Sequence, residues 1–227
     1  TALIQNNASA TNTGNINYRK NATPMRQYEF TYWGAPVVSQ VLNVFSPLTL
    51  ADKFYSYNAN VGVNNWVIEN QNNVMMTAKG YAIRAPQVYT TTPQVFSGEF
   101  IGVPNNGNIS ANVAGFNPDL LNYNLLANPY PSAINVITLL DNTNLGTLYF
   151  WTHNSAITNN VFTSSDYAIR TRTTGIAAVT GGTAPGLNIA AGQAFFASAG
   201  TTTTINFTNA MRVAGNNSQF YRNAQNV

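Results

Sequence analysis

The chain has 227 residues, of which 44% are hydrophobic and 7% are charged, whereas a typical soluble domain has about 25% charged residues. This length suits one large or two small domains, and the hydrophobic content excludes a disordered chain. The net charge of +3 is too small and too scattered for a phosphate-binding face, so we predict no nucleic-acid partner. The absence of cysteine excludes disulfides, thiolate catalysis and cysteine-bound zinc.

Most of the chain consists of short apolar or alternating runs between turn residues, which predicts an all-β protein. The predicted strands are residues 28–33, 53–57, 81–85, 95–100, 123–127, 147–152, 167–171, 194–199 and 203–207. Segments 38–45 and 133–140 space their apolar residues as short helices do. No stretch combines the length and apolar character of a membrane-spanning helix, so we predict no transmembrane segment.

The two halves of the chain repeat an order of motifs. When Pro36 is aligned with Pro129, "YEFTYWGAPVV" matches "LNYNLLANPYP", and Phe54-Tyr55 then meets Tyr149-Phe150 after a short insertion. A unit of this size can bury its sheet against a second copy. We therefore predict a jelly-roll-like β-sandwich built from two related halves, 15–107 and 108–223, with one short helix each. Residues 1–227 form either one such domain or a pair of tightly packed repeats.

The residues that could support catalysis or metal binding are few. His153 is the only histidine, and it is expected at a strand end, hydrogen-bonded to a turn. The seven carboxylates do not cluster in sequence, although a glycosidase needs a pair across its cleft. The loop 141–144, "DNTN", offers oxygen atoms to calcium but is more typical of a turn. The sequence thus predicts a non-enzymatic protein with no catalytic residues, no metal site and no cofactor, and with calcium only as a weak candidate.

Aromatic residues are the remaining candidates for ligand binding. Trp33 and Trp151 lie within strand patterns and are expected to fill the core, whereas Trp66 lies in an asparagine-rich stretch and is predicted to be the most exposed tryptophan. Trp66, with Tyr55 and Tyr57, could stack on sugar rings. These three residues form the predicted carbohydrate-binding set, although core packing is the alternative.

A set of motifs in fixed order resembles a known kind of module. The motifs are "TGNINYRKNATPMRQYEFTYWGAPV", "SPLTLADKFYSYN", "AKGYAIRAPQ", "FSGEFIGVPNNG", "LLANPYPSAI", "LYFWTHN", "DYAIRT", "AAGQAFFASA" and "FTNAMRVAGNNSQF". They resemble a module of large surface proteins of flavobacteria and other Bacteroidota, found upstream of type IX secretion sorting domains, as in gliding-type adhesins. Two departures are Ala127 and Ala194, which stand where glycine is usual.

The resemblance implies an extracellular, cell-surface location and export by the type IX secretion machinery. It implies a role in an adhesin or filament, with neighbouring modules or subunits as partners and polysaccharide as a further candidate. Edge strands and the N-terminal "TALIQNN" could pair with such neighbours. The stretch 124–154 has a counterpart in the first half that lacks the histidine and the Pro-Tyr-Pro turn, so we assign its shape to architecture. The predicted structural signature of the two halves comprises Pro36, Asn128, Pro129, Tyr130, Pro131, Trp151 and His153.

Two functions follow from these observations. The first is a non-enzymatic surface module that mediates attachment or assembly. The alternative is a carbohydrate-binding module that uses exposed aromatic side chains.

Overall fold

The computed structural model describes residues 2–4, 7–63, 65–120, 122–157, 161–218 and 220. These residues form an all-β fold with two short α-helices. The strands are β1 Ile16–Asn21, β2 Phe30–Trp33, β3 Phe54–Tyr57, β4 Trp66–Ile68, β5 Tyr81–Arg84, β6 Ser97–Gly102, β7 Ile109–Val113, β8 Asn124–Ala127, β9 Ala133–Asn135, β10 Leu145–Trp151, β11 Tyr167–Arg170, β12 Gly175–Ile176, β13 Asn188–Ile189, β14 Ala194–Ala199, β15 Thr203–Phe207 and β16 Arg212–Val213. The helices are α1 Leu42–Phe45 and α2 Val136–Asp141.

The strands pair antiparallel in two large sheets and three small ones. The first large sheet has the order β2-β5-β3-β4, and the second has the order β12-β11-β10-β14-β8. The small sheets are the ribbons β1-β6 and β7-β15 and the three-stranded β13-β9-β16.

The two halves of the chain share one strand order. In the first half, β2, β5, β3 and β4 lie side by side, and in the second half β8, β14, β10 and β11 do the same. The ribbon β1-β6 corresponds to β7-β15, and each helix follows the first strand of its large sheet. Duplication of one unit produces shared order of this kind, and the predicted boundary at 107/108 falls between β6 and β7.

Each half packs its large sheet against its own ribbon. The first core contains Trp33, Phe54 and Tyr81 from the sheet and Phe100 from the ribbon. The second core contains Leu126, Phe150 and Phe195 from the sheet with Ile205 and Phe207 from the ribbon. Because side chains alternate along a strand, the opposite faces of both sheets also carry large residues, and these faces meet in a third, aromatic cluster.

All nine predicted strands overlap observed strands, whereas the predicted helices are too long. Only residues 42–45 and 136–141 are helical. The second helix begins late because the side chain of Asn135 caps it, accepting a hydrogen bond from the Thr138 amide, and the preceding residues pair in β9.

Two further expectations need correction. Phe54 and Phe150 face the two inner cores, while Tyr55 and Tyr149 face the cluster between the halves. The predicted match of Phe54-Tyr55 with Tyr149-Phe150 is therefore out of register by one residue. At the N-terminus, the described residues 2–4 form no strand, and the Leu3 amide donates to the Pro131 carbonyl at 2.8 Å.

Candidate functional site

An aromatic cleft lies where the outer faces of the two large sheets meet. Its volume is about 490 Å³, within the range of ordinary ligand pockets. We refer to it as the aromatic cleft, and its lining residues are Phe30, Tyr32, Tyr55, Trp66, Ala82, Trp151, Phe162, Thr163, Ser164 and Tyr167. Both halves of the chain contribute, so the site is complete only when the halves are packed together.

Strand alternation explains why aromatic side chains collect in this cleft. In β2, Trp33 points into the first core and Tyr32 points to the opposite face. In β10, Phe150 points into the second core and Trp151 points to the opposite face. Runs with large side chains on both faces, such as "FTYW" and "LYFW", therefore fill two layers at once.

Tyr32 is at the centre of the cleft. Its ring stacks on that of Trp151, with centroids 6.0 Å apart and planes 18° apart. Its hydroxyl lies 2.7 Å from the Tyr167 hydroxyl across the boundary between the halves. Burial raises the pKa of both phenols above the usual value, so both stay uncharged near neutral pH.

The three residues of the predicted carbohydrate-binding set lie close together. Trp66 is 41% exposed, far more than Trp33 or Trp151, as the sequence predicted. Trp66 and Tyr55 both line the aromatic cleft. Tyr57 packs edge-on against Trp66 at 5.1 Å, but it borders a separate polar groove of about 1080 Å³.

Sequence reasoning missed most of the cleft. Phe30, Tyr32, Phe162 and Tyr167 were not predicted to bind ligand, although each lines the cleft. Tyr167 lies in the motif "DYAIRT", which contributed only to the resemblance. The alternation in β2 gave a usable signal for Tyr32, whereas Phe162 comes from the loop before β11 and carries no pattern.

Two residues of the structural signature, Asn128 and Tyr130, form a buried hydrogen-bond centre. The Asn128 side-chain amide donates to the carbonyls of Ser132, Ile189 and Ala190 at 2.8, 3.0 and 3.1 Å. Its oxygen accepts from the Tyr130 amide at 3.0 Å, which holds the Pro-Tyr-Pro turn. The Tyr130 hydroxyl in turn donates to the Gly107 carbonyl at 2.6 Å.

Asn105, which the sequence did not single out, links the two equivalent proline turns. Its backbone amide donates to the Pro36 carbonyl at 3.0 Å, and its side chain donates to the Pro129 carbonyl at 2.8 Å. Asn105 is buried and lies near the end of the first half in sequence. It therefore ties Pro36 and Pro129 to one residue.

A buried polar cluster adjoins the cleft around His153. The His153 Nε2 lies 3.9 Å from Glu29 Oε1, which is too long for a hydrogen bond. Its Nδ1 has no partner among the described residues, so the predicted hydrogen bond to a turn is wrong. Burial lowers the pKa of His153 to about 4, while the nearby Asp166 charge opposes this and Arg26 adds to it. His153 is thus neutral at physiological pH.

The two carboxylates of this cluster have their own partners. Glu29 accepts from the Arg26 amide at 2.6 Å and lies 3.6 Å from the Arg26 guanidinium. Asp166 accepts hydrogen bonds from the hydroxyls of Ser155 and Thr180 at 3.0 and 2.5 Å. Asp166 and Ser155, with His153 and Phe162, border a smaller cavity of about 200 Å³, whose wall at Phe162 is shared with the aromatic cleft.

In the loop 141–144, which was the weak calcium candidate, Asp141 and Asn144 form hydrogen bonds with other protein groups. The Asp141 carboxylate accepts two hydrogen bonds from the Arg172 guanidinium, at 2.8 and 3.0 Å. The Asn144 amide donates to the Thr201 carbonyl at 2.8 Å. Within the described ranges, no three histidine or carboxylate side chains come together at a spacing that holds a metal ion.

Among the described residues, no helix has both the length and the apolar character needed to cross a membrane.

The comparisons with known proteins give one match. Neither the comparison with curated proteins nor that with solved structures finds a similar chain. A family model described as domain of unknown function (DUF8693) matches residues 1–227, and the chain therefore belongs to the DUF8693 family.

Proposed function

We propose that this domain is a non-enzymatic module of an extracellular adhesin or filament protein, and that it attaches by binding carbohydrate in the aromatic cleft. The observation that carries the proposal is the cleft itself. A half-exposed tryptophan stands at the rim of a pocket of about 490 Å³ that six further aromatic rings line. Close-packed protein interiors leave few voids larger than a water molecule, so packing of the two halves does not explain a pocket of this size.

The chemistry of the lining suits a sugar ring. The C–H faces of a sugar are apolar and lie flat on aromatic rings, while its edges carry hydroxyl groups. Trp66 and Tyr55 offer ring surfaces, and Thr163 and Ser164, whose side chains carry hydroxyl groups, also line the cleft. Pockets of mostly apolar surface with a few placed polar groups are typical of small-ligand sites.

The carboxylate arrangement supports binding without hydrolysis. A glycosidase places two carboxyl groups on either side of the bond that it cleaves. Among the described lining residues of the cleft there is no Asp or Glu. The nearest carboxylates, Glu29 and Asp166, accept hydrogen bonds from protein groups.

The surface location rests on composition and on the motif resemblance. Few charges, many asparagines and threonines, and no cysteine are common in large bacterial surface proteins. The ordered motifs resemble modules that the type IX secretion system exports. Attachment of a cell or filament to polysaccharide would then be the role of the cleft.

The test is retention of the purified domain on a panel of soluble and insoluble polysaccharides. We expect specific retention by at least one of them, and loss of most of it in Trp66→Ala. The matched control is Phe116→Ala, because Phe116 is 37% exposed and lies outside the cleft lining. Equal binding by Trp66→Ala and the parent, or no retention on any polysaccharide, contradicts the proposal.

A second candidate is assembly through the edge of the first large sheet. Strand β4 is an edge strand whose three residues, Trp66, Val67 and Ile68, are all apolar and exposed. Exposed edges of this kind can pair with a strand of another chain. If they do here, the sedimentation coefficient rises with concentration in the parent and does not in Ile68→Lys. Val179→Lys, at an exposed valine outside the strands, is the control.

A further inference from the structure

We infer that the aromatic cleft selects neutral polysaccharides and rejects those that carry carboxylate or sulfate groups. This inference rests on the proposed carbohydrate-binding function and specifies the ligand class of the same site. It comes from the charges of the residues that line and surround the cleft.

The described lining of the cleft carries no formal charge. None of its ten described residues is Asp, Glu, Lys or Arg. Its polar groups are the hydroxyls of Thr163 and Ser164 and the phenols of Tyr32, Tyr55 and Tyr167. The Tyr32 and Tyr167 hydroxyls already share one hydrogen bond.

The charged residues beside the lining do not themselves line the cleft. Arg84, which pairs with Phe30 in the β2–β5 register, is buried, and its guanidinium donates to Gln87 Oε1 at 2.6 Å. Arg26 lies against Glu29, and its Nε also donates to the Thr91 carbonyl at 3.1 Å. Asp166 is held by the hydroxyls of Ser155 and Thr180. His153, which lines the adjoining smaller cavity, is buried and neutral at physiological pH. A ligand in the cleft therefore meets no counter-charge from this cluster.

Transfer of an ionic group from water into an uncharged cleft costs more free energy than transfer of a neutral sugar. A carboxylate or sulfate that enters the cleft loses part of its hydration and finds no cation to replace it. A neutral sugar loses less hydration, and its C–H faces gain contact with the rings of Trp66 and Tyr55. We therefore expect at least ~10-fold preference for the neutral ligand.

The experiment compares polymers that share a backbone and differ in charge. The pairs are hydroxyethyl cellulose with carboxymethyl cellulose, highly methyl-esterified pectin with polygalacturonate, and dextran with dextran sulfate. Affinity electrophoresis of the full chain measures retention of the parent, Trp66→Ala and Phe116→Ala at low and high salt. Because the chain has a net charge of +3, polyanions can also bind elsewhere, so only retention that Trp66→Ala removes is assigned to the cleft.

We expect Trp66-dependent retention by a neutral member of at least one pair, with little change between low and high salt. Trp66-dependent retention by the charged member that equals or exceeds that of its neutral partner overturns the inference and leaves carbohydrate binding intact. No Trp66-dependent retention on any polymer overturns both the inference and the proposed function.

A gain-of-charge variant tests the cause of the selectivity. Ser164 is exposed at the cleft wall. Ser164→Lys supplies the missing counter-charge, so its retention on the charged member of a bound pair should increase several-fold over that of Ser164→Ala. If the two variants retain the charged polymer equally, the absence of lining charge does not set the selectivity, and the inference fails.

Discussion

Gly34 and Ala127 are in contact where the two halves of the protein meet. A Cβ atom placed on Gly34 would lie 2.0 Å from the Cβ of Ala127 and 3.3 Å from the Lys79 carbonyl oxygen. The alignment of Pro36 with Pro129 puts these two residues at equivalent positions of the halves. Two side chains of even methyl size do not fit there, so one of the two positions requires glycine.

Gly34→Ala should therefore lower the free energy of unfolding by about 1–3 kcal/mol, because it overpacks this contact. Removing the opposing methyl group in Gly34→Ala/Ala127→Gly should recover part of the loss. Urea unfolding of the single and double variants measures both effects. The control is Gly200→Ala, where the nearest atom would be 3.8 Å away. A double variant less stable than Gly34→Ala would show that the contact is not the cause.

Asn128→Asp tests the buried hydrogen-bond centre of the Pro-Tyr-Pro turn. The substitution keeps the shape of the side chain but replaces the donor to three carbonyls with an acceptor. Unpaired buried polar groups are costly, and a buried charge adds to that cost, so we expect a loss of at least about 3 kcal/mol. Asn60→Asp, at an exposed position between β3 and β4, should change stability by less than about 0.5 kcal/mol.

The pH dependence of stability should reveal the buried histidine. In the unfolded chain the pKa of His153 is near its usual value of 6.5, whereas burial lowers the pKa in the folded protein to about 4. Between these values the unfolded state holds more protons, so this contribution to stability is complete above about pH 6.5 and is lost as pH falls towards 4. The loss amounts to about 3 kcal/mol for a shift of this size.

Because His153 is the only histidine, its imidazole NMR resonance is unambiguous and gives the folded pKa directly. We expect a titration midpoint near 4. Carboxylates also titrate in this range, so the comparison of urea unfolding for the parent and His153→Gln isolates the histidine contribution. A midpoint near 6.5, or parallel stability curves for the two proteins, contradicts the prediction.

The Tyr32–Tyr167 hydrogen bond should couple the two halves energetically. Tyr32→Phe or Tyr167→Phe leaves the other buried hydroxyl without this bond, at a cost of about 1 kcal/mol each. The double variant loses both hydroxyls together and should cost less than the sum of the single variants. Additive losses in urea unfolding would show that the 2.7 Å contact contributes no coupling.

The large strands could be predicted because their patterns are local. The segments that became β2, β3, β5, β6, β8, β10, β11, β14 and β15 are apolar or alternating, and turn residues bound them. The strands β1 and β7 also alternate, but they were not recognised among the polar residues that flank them. The short exposed edge strand β4 was missed as well. The helices were predicted too long because Asn135 and its strand pairing act only once the chain is folded.

The candidate site was predictable only in part, for the same reason. Trp66 was selected because the polar residues around it indicated exposure, and Tyr55 was grouped with it as a further aromatic residue. Tyr32 and Tyr167 are 135 residues apart in the chain, and nothing local indicates that their hydroxyls meet. The link from Asn105 to Pro36 and Pro129 was likewise invisible in sequence.

The sequence by itself determined the all-β class, the repeated order of motifs, the absence of disulfides and the shortage of charge. These properties depend on composition and on the period of side chains along a strand, which neighbours in the chain specify. The tertiary structure decided which faces of the two large sheets meet, and so that Tyr32, Trp66, Trp151 and Tyr167 share one cleft. That outcome depends on packing between residues distant in the chain, such as the contact of Gly34 with Ala127, which no local pattern encodes.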